Sequence, residues 1–274
     1  METKKSTMRK ANFYLELMDL ENDKPSFQWK EGLNPEQMKR WSRGEAALAV
    51  APPKIETEKM FVRFLAVARA CQKWQAGPGP VSEEFIKNLE ELDQSQKEQL
   101  MLALFPVEGN RDQWTKHLGV TGAQLEYIAD HTFKPLLKAY GEMVSAQVPM
   151  SDWSKSYCPV CGDQPTMAKL SGKDGHRKLY CGRCETHWRY KRLGCPYCNE
   201  DHSEASFFTL DDNKQYRVYL CGHCKSYLKT VDERECGEVD LFCEDLLTGE
   251  LDELAHNEGY QRGRTANYNS GKSF

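Results

Sequence analysis

The chain has 274 residues, with 37 Lys and Arg against 41 Asp and Glu, a formal net charge of -4 and a pI near 6.0. That balance argues against a protein committed to nucleic acid, though it says little about a local basic patch. The length allows a real core and predicts two or three domains. No apolar run approaches the roughly eighteen residues of a membrane span, and the best stretch, Met60 to Cys71, is interrupted by Arg63 and Arg69.

Residues 1–150 contain a single cysteine, Cys71, and read as helices throughout. No apolar h-region follows the opening residues Met1 to Lys10, so no export signal is expected. Phe61, Phe64, Leu65, Ala68 and Cys71 recur at helical spacing before Gly77-Pro-Gly-Pro80 ends the run. Ser82 followed by Glu83 and Glu84 marks a helix start, with Phe85, Ile86, Leu89 and Leu92 on one side. A further run, Leu100 to Phe105, stops at Pro106. Thr121-Gly-Ala-Gln124 is a capping box opening the clearest pattern, Leu125, Ile128, Ala129, Phe133, Leu136, Leu137 and Tyr140, in which Pro135 predicts a kink or a division. His117 and His131 have no cysteine or acidic partner at useful spacing and read as ordinary helix histidines. Pro149 and the polar segment Ser151 to Ser156 form the expected linker.

Beyond the linker stand eight cysteines in four Cys-x-x-Cys pairs: Cys158 with Cys161, Cys181 with Cys184, Cys195 with Cys198, and Cys221 with Cys224. The first and third pairs carry Pro after the leading cysteine and the second and fourth carry Gly, which is an internal repeat. About twenty residues separate the two pairs of each repeat, close to the spacing of a four-thiolate site. Two residues between ligands let a tight turn aim both sulfurs at one ion, and a hairpin in the long gap returns the second turn opposite the first. The gaps suit this. Pro165 to Leu170 and Arg177 to Tyr180 flank Gly172 to Gly175, and Phe207 to Leu210 and Gln215 to Leu220 flank Asp211 to Lys214. Short strands are expected after each closing pair, over Thr186 to Lys191 and Ser226 to Val231. Two metal ions per chain are therefore expected, zinc and iron suiting four thiolates alike. An interleaved arrangement, first pair with third, uses the same donors; the repeat favours pairing within each unit. Four disulfides would suit a secreted chain, whereas reduced thiols without a leader point to the cytoplasm. A thioredoxin-like redox pair belongs at a helix start in a βαβ setting, which four evenly spaced copies fit poorly.

From Lys169 to Arg192 eight basic residues stand against Asp174 and Glu185, with Trp188 and Tyr190 among them, the interleaving of a nucleic-acid or partner surface or of a solvated strand with core aromatics. From Asp232 to Glu258 the charge reverses, with eleven acidic residues and one basic. Val239, Phe242, Leu246, Leu247, Leu251 and Leu254 recur there at helical spacing, predicting an acidic amphipathic helix that carries Cys236 and Cys243 as core or surface thiols. The tail from Gly259, rich in Gly, Asn, Ser and Arg, reads as disordered.

The string Cys158-Pro-Val-Cys-Gly-x-x-Pro165, then Leu179-Tyr-Cys-x-x-Cys-x-x-x-Trp188, then Arg192-x-x-Cys195-x-x-Cys198 resembles the FdhE family of formate dehydrogenase accessory proteins. Cys221-Gly-x-Cys-x-Ser-Tyr-Leu-Lys229, Glu244-Asp-Leu-x-Thr-x-Glu-Leu-Asp-x-Leu-Ala255 and Glu258-Gly-Tyr-x-Arg262 are similar to its closing segment. The specific match runs from Cys158 to Arg262, and the helical first half agrees in type and length. The resemblance implies a multidomain α+β protein with a helical amino-terminal domain and two tandem rubredoxin-like or zinc-ribbon-like modules, associated with iron. It implies a cytoplasmic, non-enzymatic maturation factor that binds the catalytic subunit of a molybdenum- or tungsten-dependent formate dehydrogenase.

The expected division is a helical domain over 1–150, a first four-cysteine module over 151–193, a second over 194–258 with the acidic helix, and a flexible tail over 259–274. A nucleic-acid-binding zinc ribbon is the alternative, separated from the first by the steep salt dependence of nucleic-acid binding. A thiol oxidoreductase would need a pair free of metal with a lowered thiol pKa.

Overall fold

The structure is a computed structural model that describes residues 2–21, 27–28, 32–105, 111–201, 205–209 and 214–263. In chain order its first half contains α1 (Glu2–Glu21), β1 (Phe27–Gln28), α2 (Pro35–Ser42), α3 (Ala47–Val50), β2 (Lys54–Ile55), α4 (Thr57–Trp74), α5 (Glu83–Glu90), α6 (Gln94–Leu104), α7 (Arg111–Leu118) and α8 (Gly122–Ser145). The second half adds β3 (Met167–Ser171), β4 (His176–Tyr180), β5 (His187–Arg189), β6 (Ala205–Phe208), β7 (Tyr216–Cys221), β8 (Ser226–Asp232), α9 (Glu233–Cys236), α10 (Leu241–Leu247), α11 (Gly249–Asn257) and β9 (Gln261–Arg262). The architecture is α+β. Two compact units result, residues 1–31 with 52–140, and residues 32–51 with 141–274.

The first unit is helical, with β1 and β2 as one short antiparallel pair. Helix α4 buries Met60, Phe61, Phe64, Val67, Ala68 and Cys71 along one face and stops at Gln75, whose left-handed backbone (φ 53°) turns its N–H back to Cys71 and Gln72 O. Each of the larger side chains among these, Met60, Phe61, Phe64 and Val67, contributes about 1.5–3 kcal/mol when withdrawn from water. Ser82 Oγ accepts the Phe85 N–H at 3.1 Å, as its position before two glutamates predicts. Asp93 and Gln96 form a reciprocal cap at the start of α6. The Thr121–Gln124 box opens α8, which runs through Pro135 without dividing. Arg63, a break in the apolar run, donates from Nε to Thr132 O at 3.0 Å. His131 packs edge-on against the Phe13, Tyr14 and Tyr127 rings, a core histidine rather than a ligand.

The second unit is built on a seven-stranded sheet of order β5-β4-β3-β8-β7-β6, with β9 parallel to β8. Both expected hairpins are present. The first turns through Gly172 and Gly175, both at positive φ (70° and 60°), a conformation open to glycine at little steric cost. In the second, β6 pairs with β7, and residues 211–213 of its expected turn lie outside the described residues. The strands after the closing pairs are β5 and β8. Strand β8 joins the hairpins by pairing parallel with β3, Ala168 opposite Thr230 and Leu170 opposite Asp232, so the two repeats share one sheet.

Three expectations change. The acidic stretch after Asp232 forms α9, α10 and α11 rather than one helix, because Gly237 turns at φ 83° and Asp240 starts a new helix by accepting the Cys243 N–H at 2.8 Å. Cys236 and Cys243 thus sit on different helices, and Leu247 points to solvent. The stretch from Gly259 is ordered as far as residue 263, since β9 pairs with β8 and Arg262 forms an ion pair with Asp245; residues 264–274 lie outside the described residues. Lastly, the segment from Ser151 to Ser156 is packed. It begins in a 3-10 turn, buries Trp153, and receives at Lys155 O the indole N–H of Trp188 at 3.0 Å.

Candidate metal centre

All four Cys-x-x-Cys pairs fold into the same turn. The residue after each second cysteine donates its N–H to the carbonyl of the first: Gly162 to Cys158, Glu185 to Cys181, Asn199 to Cys195 and Lys225 to Cys221, at 2.8–3.1 Å. Those four residues all stand at positive φ, 79°, 57°, 59° and 56°. Only the first is glycine, so the other three hold a conformation that side chains disfavour. Such a turn points both sulfurs of a pair to one side.

The hairpins bring the pairs together within each repeat. Cys158, Cys161, Cys181 and Cys184 form one cluster and Cys195, Cys198, Cys221 and Cys224 another, the sulfurs of each lying within 4.8 Å of one another. The shortest separations are 3.4 Å (Cys158–Cys184 and Cys161–Cys181) in the first and 3.6 and 3.7 Å (Cys195–Cys224 and Cys198–Cys221) in the second. These lie far beyond an S–S bond of about 2.05 Å. A tetrahedron of sulfurs about 2.3 Å from a central ion has edges of about 3.8 Å, so the donor sets fit two ions, with four soft ligands each. None of the eight is in a disulfide.

The electrostatics point the same way. The hydrogen bond from Cys195 holds the Cys224 thiol down at about 4 against the effect of burial, with Ser226 assisting. That same bond, with burial, pushes Cys195 well above the usual thiol range, and burial takes Cys198 to about 11. Cys158 in the first cluster is raised by burial. One thiol in each cluster, Cys181 and Cys224, is thus held below the usual range while Cys158, Cys161, Cys195 and Cys198 are raised, and a cation is what makes four thiolates in one place tolerable.

The surroundings differ between clusters. Over the first lies a strap, residues 40–48, which falls within the expected helical domain of residues 1–150 but packs with the sheet unit. Ala47 and Leu48 donate their N–H groups to Pro159 and Val160 O inside the first Cys-x-x-Cys turn (2.9 and 2.8 Å). The buried Trp41 donates its indole N–H to Pro159 O at 3.0 Å and packs on Trp153, ring centroids 5.2 Å apart. Behind the second turn, Gly141 of α8 has no room for a side chain, since an added Cβ would lie 2.9 Å from Thr186 Oγ1 and 3.2 Å from Cys184 O. The second cluster is more open, with Cys198 and Cys224 half-buried. Its Tyr197 hydroxyl reaches across to donate to Pro165 O at 3.0 Å, tying the repeats together.

Residues 157–192 match the family model described as the FdhE central domain, and residues 193–268 match that of the FdhE C-terminal domain. Residues 157–268 are therefore similar to the FdhE family. An FdhE homolog of Pectobacterium carotovorum subsp. carotovorum (strain PC1) is 33% identical over 111 residues, 39% of this chain and 36% of that protein. Protein FdhE of Salmonella choleraesuis (strain SC-B67) is 29% identical over 180 residues, 65% of this chain and 55% of the relative. The matched stretches thus span from about a third to about half of these relatives' own length. The crystal structure of the FdhE protein from Pseudomonas aeruginosa has the same fold, with a TM-score of 0.59 over 92% of this chain and 84% of that one at 19% identity.

The FdhE closing segment also acquires a physical meaning. Lys229 is only 1% exposed, in a strand buried along its whole length. Its Nζ lies 2.8 Å from Asp245 Oδ1 and 2.7 Å from Asp252 Oδ2, and it donates to Asp245 O and Thr248 O as well. Arg262 completes Asp245, and the Tyr227 hydroxyl donates to Asp252 at 2.7 Å. These side chains fasten α10, α11 and β9 to the sheet. Next to them Gly263 leaves room for the Tyr197 ring, which an added Cβ would strike. The motifs quoted above contained Tyr227, Lys229, Asp245, Thr248, Asp252 and Arg262 but not Tyr197 or Gly263, and spacing could not reveal that they converge.

The expected basic face is spoken for in part. Lys169 pairs with Glu233 at 2.8 Å, Lys191 pairs with Asp201, and Trp188 and Tyr190 turn inward as core aromatics. Neither Trp188 nor Tyr190 is thus exposed for stacking bases. Cys71 is buried in the helical unit, its thiol pushed up by burial to about 12, and belongs to neither cluster. No helix of the described residues is long and apolar enough to cross a membrane.

Proposed function

We propose that this protein is a cytoplasmic accessory factor that captures the catalytic subunit of a molybdenum- or tungsten-dependent formate dehydrogenase and assists its assembly, with no turnover of its own. The observation that carries this is the agreement of residues 157–268 with the FdhE central and C-terminal domains, over the very stretch that builds both four-cysteine clusters. Cys158, Cys161, Cys181 and Cys184 would hold one iron or zinc ion and Cys195, Cys198, Cys221 and Cys224 a second. With four thiolates each, neither site keeps a coordination position for substrate water, the arrangement of a structural site. The ions shape the sheet and its loops into a recognition surface. Deletion of the gene followed by assay of formate dehydrogenase activity tests the proposal: activity should fall and return on complementation, and undiminished activity would count against it.

A further inference from the structure

Beside the second cluster, β4, β6, β7 and the loop after β5 enclose a cavity of about 250 Å³ with apolar walls that include Leu193, Tyr197, Phe207 and Leu228. Arg177 and Arg192 line it and also line a more open cleft next to it, which adds His176 and Arg189. Arg177 is 2% exposed. Its Nη2 donates to Gly194 O at 2.9 Å and its Cζ lies 5.3 Å from the Tyr190 ring centre, while its buried Nε has no acceptor. Arg192 donates to the carbonyls of Asp174 and Gly175, and Arg189 lies 3.2 Å from His176 Nδ1. Among the described residues no carboxylate pairs with Arg177, Arg189 or Arg192, although Arg217 on the far wall is matched by Asp232 and Lys191 by Asp201. A buried guanidinium without an anion is costly unless something supplies one. At the mouth, Phe207 and Leu193 are 53% and 69% exposed.

We propose that this cleft binds an acidic peptide segment of a partner protein in which an Asp or Glu stands beside a large apolar side chain. The carboxylate meets Arg177 and Arg192, and the apolar side chain enters between Leu193 and Phe207. Charge complementarity selects the anion, and the guanidinium fork suits a carboxylate. The enclosed part falls below the roughly 300 Å³ at which small-molecule pockets begin, and it continues into an open channel, which suits an extended chain anchored by one side chain. This deepens the accessory role proposed above, from which it takes the expectation that the partner is a protein.

The test uses the full-length, metal-replete protein and a fluorescein-labelled octapeptide pool, each member carrying one Asp or Glu next to one Leu or Phe in a Gly-Ser background. A matched pool carries Asn or Gln instead. Anisotropy should show the acidic pool binding about tenfold more tightly or better than the amide pool, and more weakly as salt rises. Arg192→Gln and Phe207→Ala, both at the surface, should each weaken binding about fivefold or more with the metal content unchanged. Arg177→Met should abolish binding; if that variant loses metal or fails to fold, the two surface variants carry the test. Equal binding of the pools, no binding of either at millimolar peptide, or wild-type affinity in both surface variants would overturn the proposal. No formate dehydrogenase is present, so failure here leaves the accessory role standing, and failure of the gene deletion leaves the peptide site standing.

Discussion

Lys229→Met removes the cation at the centre of the Lys229–Asp245–Asp252 network and keeps the length and apolar volume of the stem. The loss is worked from what remains. Asp245 retains Arg262 and Asp252 retains the Tyr227 hydroxyl, and both aspartates are about a fifth exposed, at 19% and 20%. Removing one partner of a buried pair typically costs about 3–5 kcal/mol; with two aspartates each keeping one donor, the lower end, about 3 kcal/mol, is expected. For a unit of this size each kcal/mol moves Tm by about 2–4 °C, so a fall of roughly 6–12 °C follows. The helical unit would obscure a far-ultraviolet melt, and the absorption bands of a cobalt-substituted protein report the sheet unit alone. A fall below about 2 °C would show that the network behaves like a surface salt bridge and that the FdhE closing motif does not fasten the helices to the sheet.

The same network gives a pH dependence. Burial opposes ionisation of Asp245, and the charges of Arg262 and Lys229 outweigh it, holding the carboxyl below its usual range. A folded pKa below the unfolded value of about 3.9 gives stability that is complete above that value and is lost as pH falls through the folded one. Asp245→Asn should therefore be less stable at neutral pH and lose less on acidification below about pH 4; an acid-unfolding slope equal to wild type would refute the assignment. Elemental analysis of anaerobically purified protein should find two metal ions per chain, and Cys158→Ser should keep the ion of the second cluster with its helix signal intact. Four disulfides and no metal would contradict the first expectation, and global loss of helix the second. Trp41→Ala removes a buried ring and the indole N–H bond to Pro159 O. It should cost about 3–5 kcal/mol and speed chelator-driven metal loss from the first cluster but not the second; equal rates would separate the strap from the cluster it covers.

The cysteine clusters were legible because their chemistry is local and periodic. Two residues between donors, a hairpin-length gap and the alternation of Pro with Gly all act over short stretches, and each has a direct counterpart in the turns and strands observed. Helix starts at Ser82 and Thr121 were readable for the same reason. What spacing hid were long-range effects. Nothing in residues 40–48 announces that the N–H groups of Ala47 and Leu48 cap Pro159 and Val160, more than a hundred residues away. The parallel pairing of β3 with β8, which merges two repeats into one sheet, depends on no local signal. The acidic stretch misled because apolar residues at helical intervals fit one long helix until Gly237 and Asp240 are seen to interrupt it. Trp188 and Tyr190 read equally well as surface or core aromatics, because alternation alone does not tell which side of a strand faces the core.

The central claim is that the metal-filled sheet unit holds an immature formate dehydrogenase subunit. Its most direct test is capture from native cells with three baits: metal-replete wild type, Cys158→Ser and Cys195→Ser, each with its metal content measured. The catalytic subunit should come down with wild type and be lost or sharply reduced with both variants. Absence of that subunit from the wild-type capture, or its equal recovery with the metal-depleted baits, would contradict the account.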